Sequence, residues 1–139
     1  MAIEPRYTPE IIEHFTRKGY WSDLIIPDRL DERARRTPDK EAIVDSRRRL
    51  TYSQMARMVD RIALGFLELG IRLGDRVTIQ FPNRVEALGV FYALAKIGAV
   101  ACPVVPYYRG AEVGYIMETS KSVAFVAPRE FGGFDYSQM

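Results

Sequence analysis

Met55, Met58, Val59, Ile62, Ala63, Phe66 and Leu67 recur at spacings of three and four, which places them on one face of a helix. Thr51 and Gln54 stand at the start of this run as a capping box, each side chain within reach of the other's backbone amide. Gly70 falls where a left-handed residue closes a helix. The first residues read the same way. Thr8-Pro9-Glu10 combines a hydroxyl cap, a proline at the first helical position and an acid in the first turn. Ile11, Ile12 and Phe15 follow on one face, and Gly19 ends the helix. The aromatic pair Tyr20-Trp21 is expected to pack onto a later element. A second helix is expected from about Pro27 to Arg36, stopped at Thr37-Pro38-Asp39 because proline disfavours helix in the residue before it.

Past residue 40 the pattern changes. Glu41-Ala42-Ile43-Val44-Asp45 reads as a short strand, Ser46-Arg47-Arg48 as a turn, and Arg49-Leu50-Thr51-Tyr52 as the returning arm of a hairpin. After the helix described above, strand and helix alternate. Arg76 to Phe81 predicts a strand. Asn83 and Glu86 predict a second capping box, opening a helix over 84–97 that is apolar nearly all round and so buried on more than one side. Gly98 ends it. Ala99 to Val105 has the continuous apolar character of a strand inside a parallel sheet. A helix from about Gly110 to Thr119 and a strand from Val123 to Ala127 follow, and residues 130–139 read as a loop running into an unfinished helix. This order predicts an α/β fold, a doubly wound parallel sheet flanked by helices. Residues 1–40 form a helical lead-in, and 41–139 a partial α/β layer.

Composition narrows the function. The chain has 139 residues, 47% apolar and 27% charged, enough for one domain with a core. Its net charge of +2, from 20 basic and 18 acidic residues, does not mark a nucleic-acid binder. The basic clusters, Arg33/Arg35/Arg36 and Arg47/Arg48/Arg49, read as solvated surface, with a phosphate contact as the alternative. No apolar run reaches the roughly 18–20 residues of a membrane span. Met1 to Arg6 lacks the apolar centre of a signal peptide, and the single cysteine excludes an internal disulfide, so a cytoplasmic location is expected.

Candidate chemistry is sparse. Cys102 lies in an apolar run and reads as a small buried hydrophobe, while His14, the only imidazole, sits on a surface helix. One His and one Cys cannot make a structural zinc site. The glycines form neither a dinucleotide fingerprint nor a Walker loop, and Gly132-Gly133, flanked by Phe131 and Phe134, lacks the polar setting of a phosphate cradle. Asp39, Glu41 and Asp45 read as exposed acids. The most site-like stretch is Val104-Val105-Pro106-Tyr107-Tyr108-Arg109, after a parallel strand where open α/β sheets bind ligands. Its two readings are an anion site, or tyrosines packed over the sheet with Arg109 capping or paired.

Leu50-Thr51-Tyr52-Ser53-Gln54-Met55 resembles the Leu-Thr-Tyr-x-Glu-Leu motif of the adenylate-forming enzymes: acyl-CoA synthetases, aryl-acid–AMP ligases and peptide-synthetase adenylation domains. Gln54 and Met55 replace the usual Glu and Leu, and keep the capping box and the apolar contact. Leu94-Ala95-Lys96-Ile97-Gly98-Ala99-Val100-Ala101-Cys102-Pro103-Val104-Val105-Pro106 resembles the second core motif of that family. Gly74-Asp75-Arg76-Val77 and Pro82-Asn83-Arg84-Val85-Glu86 resemble the stretch between the two. Phe15-Thr16-Arg17-Lys18-Gly19-Tyr20-Trp21 is similar to the opening of aryl-acid–AMP ligases and cyclohexanecarboxylate-type CoA ligases. Pro106-Tyr107-Tyr108-Arg109, with Pro128 to Tyr136, leans to the CoA ligases.

The resemblance implies the N-terminal portion of an acid–CoA ligase. In such an enzyme ATP and a carboxylic acid give an acyl-adenylate and pyrophosphate, CoA displaces AMP, and Mg²⁺ offsets phosphate charge. Both motifs are structural in the family. Its nucleotide loop, ribose-binding Asp and adenylation Lys have no matching position, so no catalytic, cofactor-binding or metal-binding residue is assigned. These 139 residues are therefore expected to be a truncated, inactive portion. An aryl-acid–AMP ligase and a non-catalytic α/β binding module are the alternatives. The all-round apolar helix at 84–97 and the strand at 99–105, which later segments would cover in the full enzyme, predict self-association through an apolar patch or a sheet edge.

Overall fold

A computed structural model describes residues 7–139; Met1 to Arg6, read above for a signal peptide, lie outside the described residues. The chain forms helices α1 (Pro9–Arg17) and α2 (Ile26–Arg36), the hairpin β1 (Glu41–Val44) and β2 (Arg49–Thr51), and helix α3 (Tyr52–Glu68). Then come β3 (Arg76–Gln80), α4 (Val85–Lys96), β4 (Val100–Val104), α5 (Gly110–Ser120) and β5 (Ala124–Val126). The short strands β6 (Glu130–Phe131) and β7 (Phe134–Asp135) and a 3₁₀ turn (Tyr136–Gln138) end it.

The sheet is parallel and three-stranded, in the order β4-β3-β5. Val77 faces Ala101 on one side and Ala124 on the other. The chain therefore steps from β3 to one neighbour through α4, then back past β3 to the other through α5. Right-handed crossovers in opposite directions put their helices on opposite faces. The contacts agree. Val77 and Ile79 join the core with Val59, Phe66, Val90 and Leu94 of α3 and α4. Thr78 and Gln80, alternate residues of β3, face the other layer, and Thr78 Oγ1 donates to Ser122 Oγ just beyond α5 at 2.8 Å. The expected doubly wound α/β arrangement is what the chain adopts.

Several local signals act as anticipated. Thr8 Oγ1 caps α1 by accepting from the Ile11 amide. The Thr51–Gln54 box forms in both directions, at 3.3 and 2.9 Å. Leu30 of α2 is buried with α3 and α4 in a core where each full side-chain burial contributes about 1.5–3 kcal/mol.

Four expectations need correction. β4 is an edge strand with Val100 47% exposed, and the central strand is β3, whose Val77, Thr78 and Gln80 are fully buried. Its polar side chains masked that position, because inside the sheet they bond neighbouring segments. Pro103, which has no N–H, is compatible with the edge. The Asn83–Glu86 box does not form: α4 starts at Val85, and its N-terminus is capped from a distance by Asp45. Tyr20 and Trp21 pack back on α1, not on a later element. The turn at Gly19 returns the chain, the Trp21 amide bonds Phe15 O at 3.3 Å, and the rings of Phe15 and Trp21 lie 5.1 Å apart. Finally, residues 130–135 form a hairpin, not a loop leading to a helix. Gly132 and Gly133 make its two-residue turn with φ of +60° and +76°, the left-handed pair that such a turn requires.

Candidate functional site

The segment singled out at the C-terminal end of β4 is tied down from three sides. From below, Gln80 Nε2 donates to Val105 O at 2.8 Å and to Tyr108 O at 3.0 Å. From above, the Tyr136 hydroxyl donates to Pro106 O at 2.6 Å. From within, Arg109 donates to Pro106 O at 3.1 Å and to Tyr108 O at 2.9 Å. Its guanidinium also stacks 4.0 Å from the centre of the Phe134 ring. The backbone carbonyls of 105, 106 and 108, which no strand partner satisfies, are thus met by side chains from β3, α5's cap and the C-terminal 3₁₀ turn.

Arg109 follows the second reading of the stretch, and the tyrosines do not. Arg109 Nη1 bonds its own loop and the guanidinium stacks on Phe134, which is the capping role of the second reading. Tyr107 and Tyr108 are 78% and 40% exposed and do not cover the sheet. Gln80 and Tyr136 are the residues that sequence reasoning missed. A glutamine ending a strand reads as a solvent-facing polar position, and nothing local links Tyr136 to a loop thirty residues earlier. The Arg109 amide donates to Glu112 Oε2 at 3.0 Å, capping α5. That bond, with Arg109's charge in a lesser role, holds the Glu112 carboxyl below its ordinary range.

The other candidates are scattered. His14 is exposed on α1, edge-on to Phe15. Cys102 is half-buried on β4 and pairs in register with Thr78. Gly132-Gly133 is a hairpin turn. Among the acids, Glu41 bonds Arg49 at 2.6 Å, and Asp45 joins the β1–β2 turn to α4. Arg48 pairs with Glu86 at 2.6 Å, and Arg36 with Glu32 at 3.1 Å. Among the described residues no group of three or more His, Cys, Asp or Glu could hold a metal ion. No helix of the described residues is long and apolar enough to cross a membrane. The arrangement at the end of the sheet shapes backbone; it presents no nucleophile beside a base.

Comparison with known proteins places this architecture. Residues 30–137 match the model of the AMP-binding enzyme family. The 2,3-dihydroxybenzoate-AMP ligase of Bacillus subtilis is 33% identical over 136 residues, 96% of this chain and 25% of that protein. The medium-chain fatty-acid–CoA ligase of Escherichia coli is 34% identical, over 84% of this chain and 21% of that protein. The solved apo structure of MbtA from Mycobacterium smegmatis superposes with a TM-score of 0.77 at 38% identity, covering 86% of this chain and 23% of that one. The chain thus spans about a quarter of the length of these relatives. With the family model matching most of its length, and its fold shared with a solved relative, the chain belongs to the AMP-binding, adenylate-forming enzymes.

Proposed function

We propose that the chain is the N-terminal part of an ATP-dependent carboxylic acid–CoA ligase, which makes an acyl-adenylate and then an acyl-CoA. The family match over residues 30–137 carries this reading, and the likeness to the fatty-acid–CoA ligase supports CoA as acceptor. The likeness to the dihydroxybenzoate-AMP ligase and to MbtA favours a second reading, an aryl-acid–AMP ligase. In both, residues 41–139 are the opening of the α/β layer, 1–40 are its lead-in, and the enzyme works in the cytoplasm.

ATP, Mg²⁺ and CoA belong to this reading as reactants of the whole protein. The described residues do not fit Mg²⁺, since no cluster of acids converges among them. Their part is mechanical: the sheet and the tethered 105–109 loop form a rigid base for segments that follow in a full-length member.

The same reading includes self-association of the isolated chain. Leu88 on α4 is 39% exposed, Val100 and Val105 of the 99–105 stretch are 47% and 50% exposed, and β4 leaves an open sheet edge. Sedimentation of the 139-residue chain should show dimers or larger species; a strict monomer would remove this part.

The deciding experiment extends the reading frame past Met139 and assays the resulting protein. Acid-dependent exchange of labelled pyrophosphate into ATP supports the ligase reading, and thioester formation with free CoA selects the first form. Exchange without CoA transfer selects the second. A frame that ends at Met139, or a longer protein with no exchange for any acid, overturns both in favour of a binding module.

A further inference from the structure

Where β2 meets the first half of α3, the surface holds an open recess of about 470 Å³. It is lined by Leu50 and Met58, both half-buried, and by Arg48, Gln54, Arg57 and Arg61. Asp60 is the one acid lining it, and that carboxylate already bonds Lys96 Nζ at 2.6 Å.

The donors here exceed the acceptors. Arg57 bonds only the neutral Ser53 hydroxyl, and Arg61 makes no hydrogen bond or ion pair among the described residues. Arg48 pairs with Glu86 through one nitrogen, leaving other N–H groups. Gln54 spends its Oε1 on the Thr51 amide, so its NH₂ is left as a donor beside the recess. Arg57 and Arg61 are four apart on α3, a like-charge spacing that disfavours a helix by itself. Guanidinium groups with unspent, forked donors around one hollow match the oxygens of a phosphate better than any neutral ligand.

We propose that this recess binds a phosphate group, carried by free orthophosphate or by a nucleotide monophosphate. Arg57 and Arg61 supply the forked contacts, Gln54 adds a neutral donor, and Arg48 sets the charge. The site lies on the hairpin–α3 face, apart from the 105–109 loop, and does not depend on the ligase reading.

The test uses the 139-residue chain at low ionic strength, followed by NMR of the Gln54 side-chain amide and the arginine Nε–H signals. Sodium phosphate is titrated against sodium chloride at matched ionic strength, and AMP is titrated separately. Saturable shifts with phosphate, absent with chloride, are expected. Arg57→Gln and Arg61→Gln should each weaken binding about tenfold, while Arg33→Gln on α2 leaves it unchanged. Both lining residues are exposed, and an unaltered melting midpoint shows that the variants fold. Equal response to phosphate and AMP assigns the site to the phosphate alone; tighter AMP binding assigns it to a nucleotide. No saturation by either, or retention of binding in Arg61→Gln, overturns the proposal.

Discussion

Asp45 Oδ2 accepts the backbone N–H of Val85 at 2.9 Å, across forty positions of sequence. Its other oxygen accepts from the Arg47 and Arg48 amides at 2.8 and 2.9 Å. One carboxylate thus closes the β1–β2 turn and caps α4, and the adjacent Arg48–Glu86 pair repeats the link. A negative charge at a helix N-terminus also complements the helix dipole.

Asp45 therefore makes stability depend on acid. The Val85 amide first, then that of Arg47, lowers its pKa from the ordinary 3.8. The unfolded chain binds this proton more readily, so the contribution is complete above the ordinary value and is lost as pH falls through the depressed one. Glu10, Glu32, Glu112 and Asp135 are lowered too and tilt the curve the same way. Urea midpoints of wild type and Asp45→Asn, compared across the acid range, isolate Asp45: the variant is less stable at neutral pH, and the gap closes in acid. A gap that stays constant would rule this role out.

Lys96 joins three helices. Its Nζ lies 2.8 Å from Asp31 of α2 and 2.6 Å from Asp60 of α3. Desolvation pulls its pKa down, but hydrogen bonds to Asp31 and Asp60 outweigh that and the net shift is upward from 10.5. A raised lysine stabilises below its unfolded value and loses the effect as pH rises through the folded one. Lys96→Met should cost about 1 kcal/mol at neutral pH, and Asp31→Asn in the Lys96→Met background should cost little more. Additive losses in this double-mutant cycle would show that the pair is not coupled.

Gln80 is fully buried at the end of the central strand and holds two carbonyls of the 105–109 loop. Its Oε1 has no partner among the described residues. Gln80→Met keeps the volume and removes both bonds, for an expected loss of about 1–3 kcal/mol. Gln80→Glu should lose more, because it buries an acceptor-only charge against carbonyl oxygens. Hydrogen exchange should then rise at Tyr108, whose amide bonds Val105 O at 3.3 Å. Unchanged exchange there would dismiss Gln80 as the tether.

Gly98 closes α4 with φ +73°. The Ala99 amide bonds Leu94 O at 2.9 Å and the Gly98 amide bonds Ala95 O at 3.2 Å, the paired bonds of a glycine-terminated helix. A Cβ added here would also collide with the Leu73 side chain. Gly98→Ala should lower stability by about 1–2 kcal/mol from the left-handed backbone alone. Removing the clash as well, with Leu73→Ala, should leave this backbone cost in place. Full recovery would mean that the contact, not φ, sets the requirement.

Sequence alone determined what depends on neighbours along the chain. The α3 periodicity, the Thr51–Gln54 box, the Thr8 cap and the strand–helix alternation behind the doubly wound sheet involve residues a few positions apart, and local geometry suffices for them. The ordered motifs from Leu50 to Pro106 likewise marked the family. Tertiary structure decided what depends on residues far apart. Which strand is central followed from where β5 docked, so Thr78 and Gln80, polar to the eye, became fully buried positions of the sheet. The cap on α4 came from Asp45 and not from its own first turn, because a carboxylate brought there by the hairpin reaches the orphan amide. Arg109 is engaged by Phe134 and the loop carbonyls, partners that lie on a distant hairpin and on its own loop. Each of these turns on a hydrogen bond or a burial whose partner the linear pattern cannot name.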